Sequence, residues 1–558
     1  MYKPYPIYDM KTGKYLRRDP WLSPQDAFET LKNCYLKDGV LEKRRGYSLV
    51  GQIVHINTTT KAPSLSSYPV MGIFNHLTSA ATEELIVMDK KRVNKYETSA
   101  VVGITVTLSD AGSGEVNAAC NSHGLVTDDI VTISGSATLD STYSITKVDD
   151  NNFKFTATWH ASNSTATASQ ERFNDLTENK LRYKGKTGQN WQPSNGNTVK
   201  GASSSATGLV EAVILDNGTL AGDDASGTII FQKGGVTGTF TNGEELQQDG
   251  TPSNIVGTAV GANSDGEFSG DNTNYFCSVS WNGVTYLTNN KNIIQKYNGS
   301  HLSELYIDLD VEGGPDNDVT RCKFMFLMEN RIVLFDTEET TDGTCSQRAR
   351  YCSVNDPATW PSSNYIDAAT SEKMMGAKFI GRDLIVYFAK SAWKFSYTSD
   401  ADNPFKWERI KGERGCFGSP NSVMLIEDEV IAPGETCINA CNGHESYAFD
   451  AQIPEFLLSW NQNSIEYCQS LKIEEERQSY LAYASTDADA NADGNTYPDF
   501  ALIYNYEDKN FATTTLPIHT LGSSKMEVDL TWGDVTDGWE DIDWSWSHKT
   551  NAAGYPTS

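Results

Sequence analysis

Catalysis and metal binding need particular side chains at particular spacings, and the eight histidines are the natural place to look first. His55, His76, His123, His160, His301, His444, His519 and His548 are spread along 558 residues. None sits in a His-Glu-x-x-His or similar metal pattern, and no Gly-x-Ser-x-Gly, phosphate-loop or Gly-x-Gly-x-x-Gly stretch occurs. Glycoside cleavage uses two carboxyl groups paired in space rather than in sequence, so spacing leaves it open, and chance pairs are expected among 73 acidic residues. One acidic run has metal chemistry in its pattern: Asp487-Ala488-Asp489-Ala490-Asn491-Ala492-Asp493-Gly494, with Asp499 beyond it. Alternating carboxylate and amide oxygens before a glycine can wrap calcium. The twelfth position counted from Asp489 is Phe500 instead of glutamate, and the gap to Asp499 is longer than calcium hairpins use, so a polar hairpin loop is the simpler reading. Cys437 and Cys441 are four apart, with no second pair or histidine at zinc spacing, and the ten cysteines read as free thiols of a protein made in a reducing cytosol. The expectation is a non-enzyme, with no catalytic, cofactor-binding or metal-ligating residue assigned and no cofactor.

The net charge of −28 bears on partners. Such a surface repels phosphate and disfavours tight, general binding of nucleic acid. It suits a well-solvated exterior, or a passage that a polyanion traverses without sticking. Lys43-Arg44-Arg45 is the one dense basic cluster, and it reads either as a grip on an acidic partner or phosphate or as a solvated strand edge. Near the other end, Trp532, Trp539, Trp544 and Trp546 stand among aspartates and a glutamate. Tryptophan dominates interface hot spots, so this segment is either a docking element or a closing strand that packs its rings inward. No apolar run reaches 18 residues, so no membrane span is expected, and Met1–Met10 lacks the apolar stretch of a signal peptide.

Glycine, serine, threonine, asparagine and aspartate punctuate short apolar runs throughout, which points to an all-β chain of several domains. The best helical signal is Pro24 to Lys37, with Ser23 as cap and Phe28, Leu31 and Tyr35 at helical spacing. Leu36 to Tyr47 reads as a hairpin turning at Asp38-Gly39. From Met375 to Ile410, four strands of four to six residues follow one another with turns at Gly381-Arg382-Asp383 and Lys390-Ser391. Similar units begin near Val70, Tyr275, Arg321, Val423 and Gln469, the Tyr275 unit turning at Asn282-Gly283. About six units at roughly 40–50-residue spacing are the signature of propeller blades. The pattern is interrupted between Glu97 and Tyr275 by two polar, Gly/Ser/Thr-rich β modules. In the second, Val199–Val210 is echoed by Leu246–Gly257. The expected architecture is therefore all-β: a propeller of about six four-stranded blades with two small β modules inserted in one blade connection. Its segments would be a leader (1–60), the first part of the propeller (61–101), the modules (102–190 and 191–268), the rest of the propeller (269–520) and a Trp/Asp-rich end (521–558).

Several stretches together resemble a known family: Leu41-Glu42-Lys43-Arg44-Arg45-Gly46-Tyr47 in the leader, Arg350-Tyr351-Cys352-Ser353-Val354-Asn355-Asp356-Pro357-Ala358-Thr359-Trp360, Gly376 to Tyr387, and the Trp-Asp end at 532–546. They are similar to the tail nozzle, or packaged-DNA stabilisation, proteins of short-tailed bacteriophages. The resemblance implies a structural virion protein, assembled in the host cytoplasm, whose copies form a ring, as a hexamer. That ring would contact tail adaptor proteins and tail fibres. It would extend the DNA channel without sequence-specific binding, retain the packaged genome and open for ejection. The alternative is a receptor- or glycan-binding, possibly glycan-cleaving, propeller at the tail tip. A calcium-dependent adhesion propeller is a third reading.

Overall fold

Two middle strands show how the apolar runs become sheets buried on both faces. In Asp383–Phe388, Leu384, Val386 and Phe388 enter one core while Ile385 and Tyr387 enter the next. In Arg331–Glu339, Val333 and Phe335 share the first of these cores, and Ile332 and Leu334 point the other way. Side chains alternate along a strand, so a continuous apolar run means that both faces of the sheet are covered. The computed structural model describes residues 10–17, 20–44, 53–56, 63–79, 82–97, 103–121, 123, 125, 127, 129–170, 173–309, 317–400, 402–454, 456–486, 496–525 and 556–557.

Among the described residues the chain is all-β, with six mainly antiparallel sheets of four or more strands in chain order in a propeller-like arrangement. Sheet one comprises Val70–Leu77, Glu83–Asp89, Val93–Tyr96 and Phe173–Asp175. Sheet two has Cys277–Trp281, Val284–Thr288, Gln295–Tyr297 and Leu302–Glu304. Sheet three has Val319–Met328, Arg331–Glu339, Gly343–Tyr351 and Tyr365–Asp367. Sheet four has Met374–Ile380, Asp383–Phe388, Ala392–Tyr397 and Phe405–Arg409, the unit expected at 375–410. Sheet five has Met424–Ile426, Glu429–Pro433, Ile438–Cys441 and Ser446–Ala448. Sheet six has Gln469–Ile473, Gln478–Tyr483, Phe500–Asn505 and Asn510–Thr515, extended at its outer edge by Gly13–Lys14 and Ala27–Phe28.

Each sheet packs face to face on its successor through a separate apolar core. The return from six to one is made by the chain beyond Pro517. The Thr520 hydroxyl bonds the Gln469 side chain of sheet six at 3.3 Å. Gly522 lies so close to Ile73 of sheet one that a Cβ there would stand 2.4 Å from the Ile73 Cβ.

The inserted modules are two closed six-stranded barrels. The first spans Ile104–Gln170 and the second Asn179–Ser264. They occupy two places instead of the expected single connection. The first barrel interrupts sheet one between its third and fourth strands, where Tyr96 pairs with Phe173 across the insertion. The second lies between that fourth strand and sheet two and already includes Asn179–Lys184. The echo within it is structural: Thr198–Gly201 pairs antiparallel with Glu245–Gln248, and the equivalent residues Val199 and Leu246 are both buried.

The helix expected over Pro24–Lys37 does not form. Ala27–Phe28 joins the edge of sheet six, Asn33 takes a left-handed φ of 59°, and Cys34–Lys37 pairs with Val40–Lys43 in a hairpin. Leu31, Tyr35 and Leu36 bury against Ile503 and Ala512 of sheet six, and that burial outweighs a weak local helical preference. The hairpin turns at Asp38-Gly39, both at positive φ, as the Asp-Gly pair requires.

Candidate functional site

The first strands of the sheets converge, and side chains link them across the middle. From the end of the second strand of sheet two, the Thr288 hydroxyl donates to the Cys322 carbonyl at 2.6 Å, joining sheets two and three. The Lys323 ammonium donates to the Met374 carbonyl at 2.6 Å, joining three and four. The Ser470 hydroxyl of sheet six donates to the carbonyl of Asn421, in the turn that leads into sheet five, at 2.8 Å. Cys277 of sheet two stands 3.9 Å from the Asn421 side chain, a contact between the second and fifth sheets. Burial lowers the lysine pKa of Lys323 and Lys378 and pushes the Cys277 thiol up to about 11, although both lysines counter that rise. Lys378 is nonetheless solvent-exposed.

The residues of the Arg350 stretch are committed to structure. Arg350 is 2% exposed and clasps the fully buried Glu339 with two bonds of 2.9 Å. Arg348 reaches Glu339 at 3.0 Å, Asp342 at 2.7 Å and Asp367 at 3.0 Å. Burial works against the Arg348 charge, but bonds to Asp367 and Asp342 outweigh it and raise the pKa. Glu339, Asp342 and Cys345 have donor atoms close enough for a cation, yet the Arg348 guanidinium already bonds two of them. In the turn that follows, Asn355 adopts φ 57°, Asp356 accepts from the Ala358 amide at 3.0 Å, and the Trp360 indole donates to the Pro357 carbonyl at 2.8 Å. Trp360 thereby fills the core between sheets two and three.

Polar contacts dock the second barrel on sheet two and the loop after it. The Lys180 ammonium, buried and lowered in pKa by that burial, donates to Gln295 at 2.5 Å. The Arg182 guanidinium lies 3.1 Å over the Tyr306 ring, whose hydroxyl donates to Asp318 at 2.7 Å. Lys296 pairs with Asp216 at 2.5 Å, and His301 with Glu178 at 3.1 Å. The Glu178 hydrogen bond raises His301 above the ordinary histidine range despite partial burial. Sheet one is tied in by Arg92, which bonds Asp175 and Glu267 at 2.7 Å each.

The residues singled out by type and spacing are not brought together. His76 is buried between sheets one and two, 2.8 Å from the Thr285 hydroxyl. His123 bonds within the first barrel, and His519 sits among Tyr275, Tyr467 and Tyr497 at the seam of sheets six and one. His160 and His444 lie in turns of the first barrel and sheet five. Asp499 accepts from the Ser485 amide at 2.7 Å and its hydroxyl at 2.6 Å. The rest of the candidate calcium run, residues 487–495, lies outside the described residues, as do Arg45, His548 and the tryptophan segment 532–546. Lys43 ends the leader hairpin with its side chain exposed. All ten cysteines are free, and Cys437 touches the Arg414 guanidinium at 2.7 Å.

No family model and no curated protein match the chain. Among solved structures, an endosialidase of phage phi92 is similar at 10% identity and a TM-score of 0.22, over 84% of this chain and 60% of that one. This chain thus spans less than two thirds of that endosialidase. AztD from Citrobacter koseri matches at 10% identity and 0.23, over 80% and 94% of the two chains. A quinonprotein alcohol dehydrogenase-like protein from Bacteroides thetaiotaomicron matches at 9% and 0.26, over 75% and 93%. Likeness at this level carries nothing about what the present chain binds or does.

Proposed function

We propose that the six sheets are the blades of one closed propeller and that the chain is a structural subunit of a phage tail nozzle. Copies around a common axis enclose and extend the DNA channel, hold the packaged genome and open for ejection. The observation that carries this reading is the bridged centre, where Cys277 and Asn421 stand 3.9 Å apart. B-DNA, whose major groove alone is about 12 Å wide, does not fit through one subunit. A passage for it has to lie between copies. The net charge of −28 suits walls along which a polyanion slides. The first barrel emerges at the outermost strand of sheet one, a position suited to contacts with fibres or adaptors.

Two measurements test the proposal. Electron microscopy of the purified chain should show closed rings, as hexamers, with a central opening wider than a DNA duplex. Virions assembled without the protein should package DNA and then lose it. Full retention of DNA by such particles overturns the gating role, and a strictly monomeric protein within purified tails overturns the ring.

A further inference from the structure

Where the leader crosses sheet six, its two lysines meet an aromatic surface. Gly13–Lys14 runs parallel to Asn510–Thr515, and Lys32 forms a bridge with Thr513. Both lysines line a cavity of about 350 Å³. Volumes of roughly 300–1,000 Å³ are those of small-molecule pockets. The Lys14 ammonium stands 4.6 Å from the centre of the Phe456 ring, and the Lys32 ammonium 4.4 Å from that of Phe500. Tyr483 lies between these rings, edge-on to Phe456 at 5.7 Å and near-parallel to Phe500 at 6.2 Å, and it is stacked on the buried Trp460 at 4.4 Å. The aromatic floor is therefore rigid.

Neither ammonium has a carboxylate at ion-pair distance among the described residues, although the chain has 73 acids to 45 lysines and arginines. Burial lowers the Lys14 pKa, and a bound anion would counter that desolvation. Four of the cavity's hydroxyls are spent as donors. Ser459 gives its proton to the Phe456 carbonyl, Ser485 to Asp499, Thr486 to the Ser459 carbonyl and Thr513 to the Leu31 carbonyl. On Ser459, Thr486 and Thr513 this leaves oxygen lone pairs for a ligand. The cavity thus offers cationic donors for an anionic group and acceptors for hydroxyl groups. A simple anion satisfies the first and wastes the second.

We infer that this cavity binds an acidic saccharide of the hexuronate class, its carboxylate between Lys14 and Lys32 and its hydroxyls donating to the serine and threonine oxygens. This is a binding function that stands whether or not the chain forms a nozzle ring. Among the described residues no carboxyl group lines the cavity, and the inferred role is binding.

The test is saturation-transfer NMR and calorimetry on the full chain with three probes: methyl β-D-glucuronide, methyl β-D-glucoside and inorganic phosphate. The glucuronide should bind, with the neutral glucoside and phosphate each at least tenfold weaker. Lys14→Gln together with Lys32→Gln should weaken the glucuronide at least tenfold with the melting temperature unchanged. Lys390→Gln, in a separate cavity between sheets four and five, should leave binding intact. Phosphate binding as tight as the glucuronide overturns the saccharide assignment, and undiminished binding in the double variant overturns the site. Asp487, Asp489 and Asp493 follow Thr486 in the sequence, so a third variant changes all three to Asn. Glucuronide binding only in that variant, or in none, also overturns the inference.

Discussion

Glu244 and Arg350 show what single charged residues contribute to this fold. The Glu244 carboxylate accepts from the amides of Ser203, Ser204 and Thr241 and from both serine hydroxyls. Burial acts to raise its pKa, but these bonds hold it down to about 2. A depressed carboxylate stabilises the fold above its unfolded pKa and loses that contribution as pH falls through the folded value. The second barrel should therefore lose stability between roughly pH 4.5 and 2. Glu244→Ala should remove that part of the acid transition and cost about 2–3 kcal/mol at neutral pH, read from urea unfolding followed by barrel fluorescence. Arg350→Ala leaves Glu339 buried with one guanidinium fewer and should cost about 3–5 kcal/mol. Arg350→Met combined with Glu339→Leu should recover most of it, because the cost lies in a buried carboxylate left with Arg348 as its remaining cation. Recovery no better than the single variant would place the energy in the pair itself. The Arg350 and Asp356–Trp360 stretches, which carry much of the family resemblance, are thus legible as a buried ion pair and a core plug. Their spacing alone does not reveal the partner Glu339, which approaches only when the strands pair.

At the scale of elements, the first insertion should be separable from its sheet. Tyr96 and Phe173 are antiparallel partners on either side of the first barrel, so the chain leaves and re-enters at one point. Replacing residues 97–172 by Asn-Gly should give a folded protein with sheet one intact, since that pair makes a two-residue hairpin turn and loop length costs little. A circular-dichroism melt within a few degrees of the full chain is the expected result, and loss of cooperative unfolding would show that sheet one depends on the barrel. The second barrel differs. Lys180, Arg182, Asp216 and Glu178 all bond residues between Gln295 and Tyr306. Sequence reading found both as small β modules from a change of composition but placed them in one connection. The reason is physical: Phe173–Asp175 is a three-residue strand whose assignment depends on a neighbour distant in sequence. The helix expected at Pro24–Lys37 failed likewise, because Leu31 and Tyr35 are equally good at filling a sheet face.

At the scale of the whole molecule, the chain must bring sheet six back to sheet one, and residues 517–525 form that seam. Truncation before Pro517 removes the Thr520–Gln469 bond and the Gly522 contact on Ile73. Hydrogen exchange in Val70–Leu77 should then rise at least tenfold, with Asp383–Phe388, enclosed by two cores, unchanged. Uniform protection in both would mean that the seam contributes nothing to closure.

The amino-acid sequence by itself determined most strands of the repeated units and the turns at Asp38-Gly39 and Asn282-Gly283, because alternation and left-handed turn residues act within a few residues of the chain. Tertiary structure alone decided where the first barrel interrupts sheet one and the second follows it, which acid Arg350 clasps, how the centre is bridged and how Lys14 and Lys32 come to share a cavity. Those outcomes rest on partners far apart in the chain, and nothing in the spacing of residues encodes which distant surface a strand or side chain will meet.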